Sequence, residues 1–250
     1  MTPSQPLPKL AYELTQSTLD LGPLELRVEH IHDLNETIDS LFALLEKEGR
    51  PELLEKLCPY FGVIWPSARA LALEVARSGR FEWEEKRVLE LGCGLALPSL
   101  TACARGARVV ASDFHPEVPR FLTRNRELNG AGSLEYLESD WMNELPASLQ
   151  ARFDWVIGSD ILYERAYPEP VARAFDQAAA PGAQILLADP GRPYLQPFVD
   201  AMSTLGWRSE TRIERVPDPL PKNPRHLREV FLIRFERSWL RSSPAEAEKK

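Results

Sequence analysis

The sequence predicts an α/β fold. It is a doubly wound, seven-stranded, mostly parallel sheet with helices on both faces, a terminal antiparallel hairpin and an N-terminal extension of helical and extended segments. Three observations predict it. From Lys86 onward, short apolar runs alternate with helical patterns. The first of these runs ends in a tight glycine turn, Gly92-Cys93-Gly94. Near the C-terminus, two strand-like runs follow one another with no helical pattern between them.

Residues 1–9 are Pro-rich and read as disordered. Residues 19–32 alternate well enough for an extended or β segment. Asp33-Leu34-Asn35-Glu36 has the form of a capping box. It opens a helix whose apolar face would be Leu34, Ile38, Leu41, Phe42 and Leu45. A short helix fits 51–57, and Pro66 opens another through about Ser78, with Leu71, Ala72 and Val75 inward and Gly79 as the stop. Strands are expected at 87–91, 107–112, 133–138, 153–158 and 183–188. Helices are expected at 97–105, 116–129, 168–180 and 193–205, with Pro116 and Pro168 as openers and Gly130 as a stop. Strands at 207–213 and 228–235 make the terminal pair, joined by 214–227 with Pro217, Pro219, Pro221 and Pro224. The expected organisation is an extension packing on the core at 1–58, the main domain at 59–236 and a charged, solvated tail at 237–250.

The chain has 250 residues, 44% of them hydrophobic, which suits one large α/β domain. No apolar stretch approaches the ~18 residues of a membrane span, and Met1-Thr2-Pro3-Ser4-Gln5-Pro6 lacks the features of a signal peptide. The three cysteines, Cys58, Cys93 and Cys103, show neither metal spacing nor a disulfide framework, so a reducing cytoplasm is the expected compartment. His30 and His32 are not spaced for a metal. A net charge of −7 argues against broad nucleic-acid binding. Arg212, Arg215, Lys222, Arg225, His226 and Arg228 make the late hairpin locally basic, which fits either an acidic partner or a solvated loop.

Chemistry concentrates around the glycine turn. Val88-Leu89-Glu90-Leu91 suits a buried parallel strand, and Gly92 and Gly94 let a ligand approach the backbone. Asp113 stands just past the next strand, where its carboxylate can accept from both hydroxyls of a ribose. A dinucleotide site would want a third glycine where this chain has Leu97, and Glu90 would repel a pyrophosphate. Glu90 suits instead the positively charged methionine end of S-adenosylmethionine. Cys93 reads as a small buried spacer.

The turn, the acid after the second strand and the final hairpin resemble the class I methyltransferases, whose fold is Rossmann-like. Val63-Ile64-Trp65-Pro66, Asp140-Trp141 and Ser159-Asp160-Ile161-Leu162-Tyr163 narrow the resemblance to the methyltransferase-like protein-lysine methyltransferases, over about 60–190. The resemblance implies that Trp65 walls the cofactor pocket, that Asp140 and Trp141 meet the adenine, and that Ser159 lies beside the cofactor. It places Asp160 and Tyr163 on the acceptor side, Asp160 orienting an incoming amine and Tyr163 narrowing the opening. Plainer structural roles exist for each: a loop acid for Asp113, core aromatics for Trp65 and Trp141, a turn cap for Asp160. Ala96 stands where the family often has a third glycine, which is compatible with binding if its φ is negative. The implied activity is methyl transfer from S-adenosylmethionine to an amine, a lysine of a protein substrate, with no metal and no membrane; oligomeric state is left open. Small-molecule methylation, nucleic-acid methylation and a non-catalytic cofactor-binding module remain alternatives.

Overall fold

The computed structural model describes residues 6–77, 83–217 and 226–237. The chain begins with an antiparallel hairpin of β1 (Leu14–Asp20) and β2 (Glu25–Ile31). The expected segment at 19–32 thus contains the turn and β2, while β1 starts earlier. Leu14–Asp20 is too polar to announce a strand, and it becomes one by pairing. Helix α1 (Leu34–Glu48) is capped by Asp33, whose carboxylate accepts the N–H groups of Asn35 and Glu36 at 2.8 and 3.0 Å. It buries Thr37, Leu41 and Leu45, whereas Phe42 is 45% exposed, contrary to expectation. The predicted helix at 51–57 is a 3-10 turn, Pro51–Leu53, running into α2 (Leu54–Leu57); a second 3-10 turn, Pro59–Gly62, follows. Helix α3 (Pro66–Ala76) starts at its proline; Gly79 lies outside the described residues.

Seven strands then form the main sheet: β3 (Arg87–Leu91), β4 (Arg108–Asp113), β5 (Leu134–Glu138), β6 (Phe153–Ser159), β7 (Ala179–Asp189), β8 (Arg208–Pro217) and β9 (Leu227–Glu236). Their order is β5-β4-β3-β6-β7-β9-β8. The first five are parallel, and β9 is antiparallel to both β7 and β8. The helices between them are α4 (Leu97–Ala104), α5 (Val118–Asn129), α6 (Pro168–Ala178) and α7 (Leu195–Thr204). The fold is the expected doubly wound, Rossmann-like sheet with a terminal hairpin.

Alternation along the strands separates two cores. Val88, Trp155 and Ile157 face one with α3, α4 and α5, while Leu89, Leu91 and Val156 face the other with α6 and α7. Both faces of β3 are therefore covered, which is why Val88, Leu89 and Leu91 are apolar and Glu90 between them is fully buried.

Several boundaries differ from the sequence reading. Helix α5 begins at Val118, with Pro119 rather than Pro116 in its first turn. Strand β7 begins at Ala179, so it takes the last residues of the helix expected at 168–180, and its register with β6 shifts between Phe153 and Trp155. Strand β8 continues to Pro217, at the sheet's edge, where a missing N–H breaks no ladder bond. Arg212 pairs with Glu74 and Glu214, and Arg215 pairs with Glu229 at 2.7 Å, so these basic residues are internally neutralised. Lys222, Arg225, Pro219, Pro221, Pro224 and residues 238–250 lie outside the described residues. Among those described, no helix is long and apolar enough to cross a membrane.

Candidate functional site

Strand order reverses between β3 and β6, so the connections leaving these two strands diverge and open a crevice at their carboxyl ends. Leu91 is in register with Gly158 there, which brings the turn after β3 beside the loop after β6. Gly92 and Gly94 have φ of 65° and 49°. Space demands glycine as well. A Cβ on Gly92 would lie 2.5 Å from Ile161 Cγ2 and 3.0 Å from Trp141 Cζ3, and one on Gly94 would lie 2.9 Å from the Phe61 carbonyl oxygen. Ala96 has φ 60°, so the condition of a negative φ, set from the sequence for replacing glycine, is not met. An L-residue in that region costs about 1–2 kcal/mol, and this turn accepts the cost.

Glu90 is fully buried. Its Oε2 accepts the backbone N–H of Ser99 at 3.0 Å and the Ser99 hydroxyl. Ala96 and Pro98 can offer α4 no side-chain cap, so a carboxylate from the preceding strand supplies one. Glu90 Oε1 is buried with no hydrogen-bond partner. Burial pushes the Glu90 pKa up to about 8; the Ser99 bonds pull it down and the nearby Asp113 charge adds to the rise. Asp113 is also buried, its Oδ2 accepting the Gly94 N–H and its Oδ1 the His115 N–H, each at 3.0 Å. Burial raises its pKa and those backbone bonds oppose the rise. The Cys93 N–H donates to Ser112 O at 2.9 Å. Burial, then the Asp113 and Glu90 charges, push its thiol far up, which leaves it a packing residue.

Asp140 is half-buried and accepts from the Met142 N–H at 2.9 Å and the Asn143 amide at 3.0 Å. Trp141 is 4% exposed and packs edge-on against Phe114 and Tyr167, with centroids 5.9 and 5.6 Å away. Its Nε1 is buried without a partner. Trp65 occupies the N-cap of α3 and donates its Nε1–H to Tyr60 O at 2.9 Å. Its partner Tyr60 lies in the Pro59–Gly62 turn, whose Phe61 backbone lies against Gly94.

Ser159 and Asp160 are buried at the end of β6. Asp160 has φ 61° and donates its N–H to Ala188 O of β7 at 3.0 Å. Its Oδ1 is ion-paired with Arg192 Nη1. Tyr163 is 38% exposed, and its ring meets Tyr167 at 4.9 Å. Burial, followed by the Asp113, Glu164 and Asp140 charges, pushes its phenol up to about 12. The crevice is therefore acidic, a surrounding that favours cationic ligands.

The structure brings Glu90, Gly92, Cys93, Gly94 and Asp113 into one bonded turn and joins it through Ile161 and Trp141 to Ser159, Asp160 and Tyr163. Asp140 and Trp65 stand at its margins. Sequence reasoning missed Ser99, Tyr167, Asp189 and Arg192, and gave Ile161 no role of its own. Asp189 had a signal: Asp189-Pro190-Gly191 is a turn sequence at the carboxyl end of a parallel strand.

Comparison with known proteins agrees with the fold. A calmodulin-lysine N-methyltransferase of Arabidopsis thaliana is 29% identical over 151 residues, 57% of this chain and 49% of that one. A histone-arginine methyltransferase of Xenopus laevis is 31% identical over 139 residues, 50% of this chain and 58% of that one. The chain thus spans about half the length of these relatives. Among solved structures, a precorrin-6y C5,15-methyltransferase of Geobacter metallireducens matches the fold with a TM-score of 0.54 at 18% identity, over 68% of this chain and 86% of that one. A model of the lysine methyltransferase family matches residues 59–197, and the chain belongs to that family.

Proposed function

We propose that this protein transfers a methyl group from S-adenosylmethionine to an amine nitrogen, the ε-amine of a lysine in a protein substrate. The supporting observation is the junction at the crevice. Ile161, one residue past Asp160, fills the space that a Cβ on Gly92 would need. A backbone turn able to cradle a ligand and a carboxylate able to hold a donor are thereby fixed to one another. The residues fit the cofactor. Glu90 Oε1, buried without a partner, is an acceptor for a cationic methionine end. Asp113 would accept the ribose hydroxyls. Trp65, Gly92, Cys93, Gly94, Asp140, Trp141 and Ser159 would complete the surrounding wall. Bound there, the cofactor supplies a methyl carbon already activated for displacement.

The chain's own work is alignment. Asp160 accepts a hydrogen bond from the incoming amine and orients its lone pair, and Tyr163 restricts the opening to a narrow side chain. The amine must be neutral to attack. Burial in the crevice lowers its pKa, while nearby carboxylates raise it.

The test is incubation of the protein with radiolabelled S-adenosylmethionine and cell lysate, followed by mapping of the labelled residue. Label on protein lysines is expected; label confined to small molecules or nucleic acid would overturn the acceptor assignment. Asp160→Asn is the informative variant, because asparagine tolerates the positive φ there. It and Tyr163→Phe are expected to lower kcat, Asp160→Asn more, with cofactor affinity nearly unchanged. Full activity in Asp160→Asn would remove Asp160 from the mechanism.

A further inference from the structure

Asp160 does not stand alone. The loop after β7 is built to deliver a guanidinium to it. Asp189, fully buried at the end of β7, accepts the N–H groups of Gly191 and Arg192 at its Oδ1, both at 2.8 Å. Gly191 has φ 86°, and a Cβ there would lie 2.7 Å from Phe231 Cε2, so the backbone is held against β9. Arg192 Nη1 then lies between two carboxylates, paired with Asp160 Oδ1 and 3.5 Å from Asp189 Oδ2. Its side chain is 26% exposed, that of Asp160 7%. A partly exposed arginine has many rotamers, and this one is directed inward onto a buried acid at the crevice.

We propose that Arg192 is a positioning residue for methyl transfer: it holds Asp160 in one orientation by its Oδ1, leaves Oδ2 to the acceptor amine, and offsets the negative charge that would keep that amine protonated. This rests on the amine-methylation reading above. The charged and titratable groups at Asp160 and the crevice are Asp189 at the end of β7, Arg192 in the loop after it, Glu90 from β3, Asp113 from β4, Asp140 after β5 and Glu164 beside Tyr163. All but Arg192 are acids, and each acid stabilises an ammonium over a free amine. Without the guanidinium, Asp160 Oδ1 and Asp189 Oδ2 would lose the cation they share. A lysine would then bind as ammonium, well oriented and unreactive.

Two measurements test this. The first is the pH dependence of kcat for the parent, Arg192→Gln and Arg192→Lys. Arg192→Gln is expected to lower kcat about tenfold or more, as misplacement of a reacting group does, with cofactor affinity retained. Its rise with pH is expected to move up by about 0.5–1 pH unit, as loss of one nearby positive charge implies. Arg192→Lys keeps the charge without the planar fork, so it is expected to restore the midpoint and only part of kcat. An unmoved midpoint and parental kcat in Arg192→Gln would overturn the proposal; so would a lower melting temperature with unchanged kinetics, which would leave Arg192 a loop-closing residue. The second is a double-mutant cycle of Arg192→Gln with Asp160→Asn, read as thermal stability of the cofactor-free protein. Non-additive losses are expected, and strictly additive ones would mean that Arg192 does not hold Asp160. This cycle needs no acceptor. If the parent labels no amine, the function reading falls, and the cycle still decides whether the pair exists.

Discussion

Glu90 joins two tasks that titrate together. It caps α4 through Ser99, and its buried Oε1 faces no donor. With its pKa moved from 4.5 to about 8 by burial, the folded cofactor-free protein holds a proton that the unfolded chain releases. Between those values the folded state binds more protons, so this group's contribution to stability falls as pH rises and levels off above about 8. A cationic ligand favours the ionised form. Binding of S-adenosylmethionine near pH 7 is therefore expected to release part of a proton, seen by calorimetry as heats that differ between buffers of unlike ionisation enthalpy. Identical heats would separate Glu90 from the ligand's charge. Asp113→Ala is expected to weaken cofactor binding by about 1.5–3 kcal/mol. It is also expected to lower stability, because the N–H groups of Gly94 and His115 lose their acceptor. Parental affinity in that variant would exclude the ribose role. At Ala96, glycine would relieve about 1–2 kcal/mol of left-handed strain. Against this stand about 0.4–1 kcal/mol of unfolded-chain entropy and about 0.8 kcal/mol for the buried methyl. Ala96→Gly is thus expected to be neutral within about 1 kcal/mol by denaturant unfolding, and Ala96→Val strongly destabilising, since a β-branched residue cannot adopt φ 60° without strain.

The elements are held in place by contacts of unequal legibility. Strands β3, β4 and β6 were readable because both their faces are covered, which leaves a short apolar run in each: Val88-Leu89, Val109-Val110-Ala111 and Trp155-Val156-Ile157. The turn residues were readable because glycine alone fits them, and Pro66, Pro168 and Gly130 mark helix ends for local steric reasons. Tertiary contacts left weaker traces. Strand β1 is polar and exists by pairing; Phe42 falls on the apolar stripe of α1 yet faces solvent; Pro217 reads as loop and belongs to an edge strand. Within the crevice, Gly92, Gly94 and Asp113 announce themselves by spacing, whereas Arg192 depends on how the β7 loop folds back toward β6. The same holds for the α3–β8 junction. Glu74 is 3% exposed on α3, paired with Arg212 of β8 and 4.0 Å from Arg77, which itself binds Glu214 at 2.7 Å. Arg212→Met would remove the Arg212 ion pair from the buried Glu74 carboxylate. A loss of about 1–3 kcal/mol is expected, less than the ~3–5 kcal/mol of a fully orphaned buried charge. Double substitution with Glu74→Leu is expected to recover part of it in thermal unfolding, and further loss there would mean that packing, not charge, holds the junction.

At the scale of the whole molecule, the N-terminal hairpin is attached by an imitation of a strand. Asn125 and Asn129 stand one helical turn apart on α5 and face the outer edge of β2. Asn125 accepts the Glu29 N–H at 2.7 Å and donates to Glu29 O at 3.2 Å; Asn129 does the same with Arg27, at 3.0 and 2.7 Å. Each amide presents an acceptor and a donor as a neighbouring strand's peptide would, so the edge is paired without another strand. A two-stranded sheet alone is marginal, which makes this attachment decisive for the hairpin and of little consequence for the main sheet. The attachment also reaches the crevice. Ile31 at the end of β2 packs so closely on Gly62 that a Cβ there would lie 2.3 Å from Ile31 Cδ1, and the adjacent Phe61 presses its carbonyl on Gly94. Asn125→Ala leaves both backbone groups of Glu29 without partners, at about 1–3 kcal/mol each. Faster amide exchange is expected in 14–31 and 59–62, with β3 and β6 unchanged. Binding of S-adenosylhomocysteine is expected to weaken a few-fold, because the support behind Gly94 loosens. Exchange that rises equally throughout the main sheet would mean that hairpin and sheet open as one unit. Local opening with unchanged affinity would cut the path from Ile31 to Gly94.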